Sequence, residues 1–151
     1  MISLTRRRLV VSTIAAVGAV AVTRSVVNPG AALVVEDVAS EKRLFEIAVD
    51  QGTEVTIAYT HSVQQTPVED VYVVDGTTLR SDRSVFHSFG AGLPSEDVER
   101  TDEGYVVKGG AEHDELYVSP GEIAGHELFV DGERYDLVGA ADGPVVLFVE
   151  E

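Results

Sequence analysis

Short runs of alternating apolar and polar residues, separated by turn-forming residues, fill the chain from about residue 30 to its end. In residues 54–63, Val55, Ile57, Tyr59 and His61 alternate with mostly polar residues, which is the period of two that a half-buried strand requires. The alternation predicts that His61 lies at the end of an inward-facing apolar stripe. Beyond the first 27 residues, no window of 11 residues has the spacing of an amphipathic helix. The pattern predicts strands at 31–38, 43–49, 54–62, 68–74, 78–87, 96–101, 105–108, 114–118, 126–130, 134–138 and 145–149.

Turn-forming residues divide these runs, and the strongest are three Asp-Gly pairs: Asp75-Gly76, Asp131-Gly132 and Asp142-Gly143. Asp-Gly between two apolar runs favours a hairpin with a two-residue loop. Such a loop at 131–132 pairs Leu128 with Tyr135 and His126 with Leu137, so His126 shares a face with apolar residues. Many short strands with close turns predict an all-β fold, a single antiparallel β-sandwich or barrel over residues 30–151.

Residues 1–27 have the pattern of a targeting segment. Three arginines at 6–8 precede an uncharged stretch from Leu9 to Val22, as in a secretory signal, and the Thr-Arg-Arg-x-Leu order resembles a twin-arginine signal. Cleavage after residues 19–21 is one expectation. The other is an uncleaved membrane anchor, with Arg24 reaching the interface. Both predict export, with residues from about 30 onward at the cell surface or on the extracytoplasmic side of the membrane.

The remainder of the chain is strongly acidic. Residues 22–151 hold 8 basic and 26 acidic residues, a net charge of −18, which argues against a nucleic-acid partner. The acidic residues are dispersed and only two lysines occur. This composition is typical of a domain kept soluble in high salt, and the alternative is a merely acidic secreted protein. The absence of cysteine rules out a disulfide framework and a Cys nucleophile.

The first segment with candidate chemistry is 59–70, where a strand runs into a polar loop closed by Thr66-Pro67. Proline fixes its own φ and favours an extended conformation for the residue before it, so the loop is predicted to be stiff. A stiff loop can hold side chains in fixed relation and form a polar pocket for a small ligand or a partner's side chain. The alternative is a hairpin connection whose polar groups satisfy buried backbone atoms. The candidate binding residues here are His61, Ser62, Thr66, Pro67 and Glu69.

A second segment, 86–94, contains two glycines around one alanine. Glycine permits backbone geometry closed to other residues, so exposed amides there favour an anion-binding nest, and the alternative is a tight corner between strands. The candidate residues are Ser88, Gly90, Gly92 and Pro94, to which His126 is added because of its apolar face.

Signatures of catalysis are poor. The chain has no nucleophile elbow, no His-Glu-x-x-His and no phosphate-binding or dinucleotide-binding glycine loop, so we assign no catalytic residue, no metal and no cofactor. His61, Glu69 and His126 form the one combination from which a two-His, one-carboxylate metal site is conceivable, although no spacing demands it. We predict instead that these three side chains converge near residues 90–94 and form a polar pocket.

The two segments together resemble domain-of-unknown-function family 1850. The similarity lies in the following residues: Tyr59, His61-Ser62-Val63, Thr66-Pro67-Val68-Glu69, Ser88-Phe89-Gly90-Ala91-Gly92-Leu93-Pro94 and His126-Glu127-Leu128. Two departures are Gln64-Gln65, where family members often carry charges, and Asp70, where Glu is usual. The family has no established activity. Its members are often encoded beside TAXI-type tripartite ATP-independent periplasmic (TRAP) transporters, which import organic acids using an ion gradient.

The resemblance implies an extracytoplasmic accessory or binding module, with transporter subunits as partners and an unknown small-molecule ligand. A small exported metal-dependent enzyme and a purely structural envelope protein are the alternatives. Neither a fold nor a family of unknown function identifies a ligand or a reaction. The structure of the site is therefore needed to choose among these three functions.

Overall fold

The computed structural model describes residues 30–88 and 97–151. These residues form twelve strands and one four-residue helix: β1 (Ala31–Asp37), β2 (Lys42–Val49), β3 (Glu54–Thr60), β4 (Pro67–Asp75), β5 (Thr78–Phe86), β6 (Val98–Thr101), β7 (Gly104–Lys108), β8 (Glu112–His113), β9 (Leu116–Val118), β10 (Glu127–Val130), β11 (Glu133–Asp136), α1 (Leu137–Ala140) and β12 (Val145–Glu150). The prediction of an all-β fold is therefore confirmed. The predicted targeting segment, 1–27, lies outside the described residues. Within them, no helix is long and apolar enough to span a bilayer.

The strands form two antiparallel sheets. The smaller sheet has the order β2-β1-β12-β9, and the larger has the order β11-β10-β3-β4-β5-β7-β6, with β8 also paired to β5. Apolar side chains from both sheets share one core, as expected for a sandwich in which the inner faces interdigitate. Fully buried members include Leu33 and Leu147 from the smaller sheet and Val55, Leu79 and Leu128 from the larger. The sandwich is thus the architecture that the alternating runs predicted.

The Asp131-Gly132 hairpin confirms the predicted register. Val130 pairs with Glu133 and Leu128 with Tyr135, as a two-residue loop requires. The φ angles of Asp131 (49°) and Gly132 (81°) are both positive, which is the requirement of a type I′ turn and the reason for Asp-Gly there. Asp142-Gly143, by contrast, does not join two strands, since it lies between α1 and β12.

Three sequence predictions of strand extent were wrong. The predicted strand 134–138 ends at Asp136, whose carboxylate accepts a hydrogen bond from the Gly139 N–H (2.9 Å) and caps α1, so the expected pairing of His126 with Leu137 does not form. Of the predicted strand 114–118, only Leu116–Val118 (β9) forms a strand, and β8 lies before that range at Glu112–His113. The predicted strand 54–62 ends at Thr60.

The sandwich has two distinguishable ends. The chain enters at Ala31, which pairs with Val49, and residues 50–53 then carry it into the larger sheet at this same entry end. At the other end, β9 finishes at Val118, opposite Val145, and the following segment leads to β10 beside the end of β3. The loop formed by residues 61–66 therefore lies at the end of the sandwich opposite to the entry of the chain.

Candidate functional site

The loop between β3 and β4 is held together by its own hydrogen bonds. The His61 N–H donates to the Thr66 carbonyl oxygen (2.8 Å), and the Gln65 N–H donates to the His61 carbonyl oxygen (2.9 Å). The ring of His61 turns back on the loop, where its Nδ1 accepts the Val63 N–H (3.3 Å). His61 thus caps a loop instead of continuing the apolar stripe of β3, and Ser62 is exposed to solvent.

The two predicted segments do meet, through hydroxyl groups. The Thr66 Oγ1 lies 3.1 Å from the Ser88 Oγ, and Ser88 also donates to the Gln64 Oε1. Next to this contact the His87 N–H donates to the Pro67 carbonyl oxygen (3.3 Å). Gly90, Gly92 and Pro94 lie outside the described residues, so the predicted nest stays a prediction.

Glu69 faces the outer side of the larger sheet. It lies opposite Ala58 on β3 and Val85 on β5, and its Oε2 lies 3.9 Å from the Nε2 of His87. Both side chains are more than a third exposed. Glu69 shares an outer groove with Arg83 and His87 instead of facing the core.

His126 lies on the inner side. Its ring stacks on that of Tyr59, with centroids 5.1 Å apart and planes 17° apart, and its Nδ1 accepts the Gly121 N–H (3.3 Å). The prediction that Glu69 and His126 share a pocket is therefore wrong, because the register of β3 with β4 places Glu69 on the face opposite to Tyr59. The three-residue metal arrangement is not formed either. Among residues 30–88 and 97–151, no group of three or more His, Asp or Glu side chains is placed to hold a metal ion.

The charged residue of β4 that faces inward is Asp70. It lies opposite Ile57 and Ser84, and it points to the same side as Val68 and Tyr72. The Ser84 hydroxyl donates to the Asp70 Oδ1 (2.5 Å), and Tyr59 lies on the same face, diagonally across on β3. Alternation along 68–74 places Asp70 among inward residues, and this signal was available in the sequence. Our candidate residues instead included the neighbouring acid, Glu69.

The carboxylate of Asp70 perturbs both tyrosines beside it. Burial, followed by the nearby charge of Asp70, raises the pKa of Tyr59 to about 12. Burial and then the same charge also raise the pKa of Tyr72 above its ordinary value. Loss of the phenol proton would place a second negative charge beside the carboxylate, and a nearby like charge disfavours the ionised form of each tyrosine. Tyr59 and Tyr72 therefore stay neutral at physiological pH.

These side chains line a cleft of about 390 Å³ between the larger sheet and β9, the edge strand of the smaller sheet. A volume of this order accepts a small ligand or a side chain of a partner. The floor is apolar and aromatic, with one carboxylate and one imidazole as its ionisable groups apart from the tyrosines. The lining residues are Ile57, Tyr59, Asp70, Tyr72, Leu116, Tyr117, Val118, Ser119 and His126. We call this feature the Asp70 cleft.

Burial of His126 is expected to make the stability of the fold depend on pH. Burial lowers the pKa of His126 from the ordinary value of 6.5, so the unfolded chain takes up a proton that the folded chain resists. The free energy of unfolding is therefore expected to fall as pH drops through 6.5, until the pH reaches the folded-state pKa of His126. Urea unfolding at about pH 7.5 and about pH 5.5, where histidines titrate, checks this. The variant His126→Phe should lose this component.

The control is His87→Gln, which alters an exposed histidine on the outer face and should keep the pH dependence of the wild type. Equal pH dependence in the wild type and in His126→Phe would contradict the prediction.

The family model described as "Domain of unknown function (DUF1850)" matches residues 55–137, which is more than half of the chain. All nine residues that line the Asp70 cleft lie inside the matched range, whereas β1, β2 and β12 lie outside it. Searches of curated proteins and of solved structures give no match. The family that the sequence motifs resemble is therefore the family whose model matches, and the chain belongs to the DUF1850 family.

Proposed function

We propose that this chain is an extracytoplasmic accessory or binding module that works beside a tripartite, TAXI-type TRAP solute transporter and uses the Asp70 cleft for binding. The observation that carries the proposal is the cleft itself. It places a carboxylate and an imidazole on the inner face of a sandwich whose buried described residues, apart from Asp37, are all apolar. Polar groups on such a face are costly to desolvate, and selection for stability alone would favour apolar residues there.

Export and attachment to the membrane follow from the N-terminal pattern of arginines and apolar residues, and they are part of the proposal. Strand β1 begins at Ala31, at the end of the sandwich opposite to the loop 61–66. A domain tethered through residues 1–27 would hold this loop away from the bilayer. The partner would then be engaged through its extracytoplasmic parts.

The far end of the sandwich offers a contact surface for such a partner. Val63 and Ile123 are 75% and 87% exposed, which is unusual for large apolar side chains. Their loops are joined, because the Thr60 N–H donates to the Ala124 carbonyl oxygen (2.8 Å). The two residues therefore belong to one end of the larger sheet, the end where Tyr59 and His126 form part of the cleft.

Affinity capture of the full chain from detergent-solubilised membranes of its own host tests the proposal. We expect transporter subunits to co-purify with a C-terminally tagged protein, and we expect the pair of changes Val63→Asp and Ile123→Asp to abolish their recovery. Glu151 lies at the entry end, far from these loops, so the tag leaves them free. The matched control is Thr77→Asp, which adds a charge on an exposed turn at the entry end.

Failure to recover any transporter subunit with the wild-type chain would end the transporter proposal.

A purely structural role is the alternative, and it is favoured by one observation: every buried side-chain nitrogen and oxygen in the described residues has a hydrogen-bond partner. That role predicts that changes in the cleft alter stability and nothing else.

A further inference from the structure

Asp70 has no cationic partner within the described residues. Its hydrogen-bond partner among these residues is the hydroxyl of Ser84, and the ion pairs of the described chain all involve other carboxylates. Hydroxyl groups satisfy the hydrogen-bonding capacity of a carboxylate in part and leave its charge uncompensated. A partly buried negative charge with no counter-charge is an attractive position for a cation.

Aromatic rings surround this charge. Tyr72 lies two residues along the same face of β4, and Tyr59 lies diagonally across on β3. His126 stacks on Tyr59, and His113 packs edge-on against Tyr72 with centroids 5.9 Å apart. The faces of tyrosine rings attract cations through their quadrupole, and cationic amines are recognised by aromatic groups that act together with a carboxylate.

The same surroundings disfavour an anion. Among the described residues that line the Asp70 cleft there is no Lys or Arg, and the chain beyond residue 21 carries a net charge of −18. A simple organic acid entering the cleft would meet a like charge and no basic side chain. Neutral solutes would leave the charge of Asp70 unpaired in a less polar environment, which is unfavourable.

From the arrangement of Asp70, Tyr59 and Tyr72 in one cleft, we infer that the Asp70 cleft binds an organic ammonium group, supplied by a small amine or by a lysine side chain of a partner. The carboxylate supplies the counter-charge, the rings contact the methylene groups and the cation, and Leu116 and Val118 form the apolar wall opposite. The inference rests on the proposed binding role, because it names the chemical class that this role would recognise. It does not depend on a transporter.

The test uses three probes of equal length: n-butylammonium, n-butanol and butyrate. Each is titrated against the full chain in detergent at constant ionic strength, and binding is followed by ligand-observed nuclear magnetic resonance. We expect saturable binding of n-butylammonium and no binding of the other two. Asp70→Asn should weaken the binding on the order of tenfold or more, because it removes a charge with little change of shape.

The matched control is Glu69→Gln, which removes the same charge from the neighbouring residue on the opposite face of β4. It should leave the Kd of n-butylammonium within about twofold of the wild-type value, since exposed charges are screened by salt. A second pair of variants keeps the test independent of Asp70: Tyr72→Leu should weaken binding, and Tyr72→Phe, which retains the ring, should not.

Two outcomes would overturn the inference. One is the absence of n-butylammonium binding to the folded wild-type chain. The other is equal weakening by Asp70→Asn and Glu69→Gln, which would mean general attraction to an acidic surface.

A blocked Gly-Lys-Gly peptide separates the two sources of the ammonium group: tighter binding of the peptide assigns a lysine of a partner, and tighter binding of n-butylammonium assigns a small amine. Binding of n-butylammonium without any captured transporter would refute the proposed partner only, and capture without such binding would refute this inference only.

Discussion

The melting temperature of the protein is expected to rise by more than about 10 °C when potassium chloride is raised from about 0.1 M to molar concentrations, because salt screens self-repulsion. The source of the repulsion is the −18 charge of residues 22–151. The structure places many of the acidic side chains close together. Glu54, Glu69, Asp102 and Glu103 line one outer groove with Arg83 and His87 as its basic side chains.

Ion pairs relieve only part of this repulsion. Arg43 pairs with Glu46 and Glu150, and Arg134 pairs with Glu127, yet these side chains are largely exposed and such pairs contribute little. The described residues contain far more acidic than basic side chains, so most carboxylates have no basic partner to pair with. We therefore expect screening by salt to be the main way in which repulsion among these carboxylates is reduced in the folded state.

Thermal unfolding of the full chain followed by circular dichroism measures the effect. Sucrose at matched osmolality is the control, since it favours compact states without screening charges. A melting temperature that is unchanged or lower in molar potassium chloride would refute salt adaptation. A rise of equal size in sucrose would assign the effect to solvent exclusion instead of to charge.

Much of the fold could be predicted from the sequence because its signals are local. Alternation places Val55, Ile57 and Tyr59 on the inner face, and the Asp131-Gly132 turn fixes the register of β10 with β11. The errors arise where a side chain caps the backbone. Asp136 ends a strand by accepting the Gly139 N–H, and His61 does the same for β3 through the Val63 N–H. A histidine that caps a loop cannot be recognised from the alternation of apolar and polar residues. Our prediction from alternation therefore placed His61 on the inward face of the strand.

The site was harder to predict than the fold, because a cleft depends on which strands are neighbours. The contact of Thr66 with Ser88 brings residues of the two family segments together, whereas residues 90–94, near which the pocket was predicted, lie outside the described residues. Asp70 is recognisable only when β4 is aligned with β3 and β5, and a bulge after Val71 changes the register with β5. The far wall comes from β9, which follows β4 in sequence by some forty residues. No local pattern connects these elements.

Replacing Leu147 by alanine is expected to lower the free energy of unfolding by about 2–5 kcal/mol, the range found for Leu→Ala changes in cores. Leu147 is fully buried in β12, where it pairs with Val35 on one side and with Leu116 on the other. Its loss leaves a cavity between the sheets that the surrounding strands can fill only in part. Urea unfolding of the full chain in molar potassium chloride measures the difference.

Two variants serve as controls for this change. Leu147→Met nearly conserves volume and should cost less than about 1.5 kcal/mol, whereas Ile123→Ala alters a side chain that is 87% exposed and should have almost no effect. Equal unfolding free energies for Leu147→Ala and Ile123→Ala would show that the inner faces of the two sheets do not form one core.

Because β9 is an edge strand joined to the smaller sheet through Val145, Val146 and Leu147, the cavity also loosens the wall that carries Leu116 and Val118. Under conditions in which Leu147→Ala remains folded, its affinity for n-butylammonium should therefore fall, while Ile123→Ala keeps the affinity of the wild type.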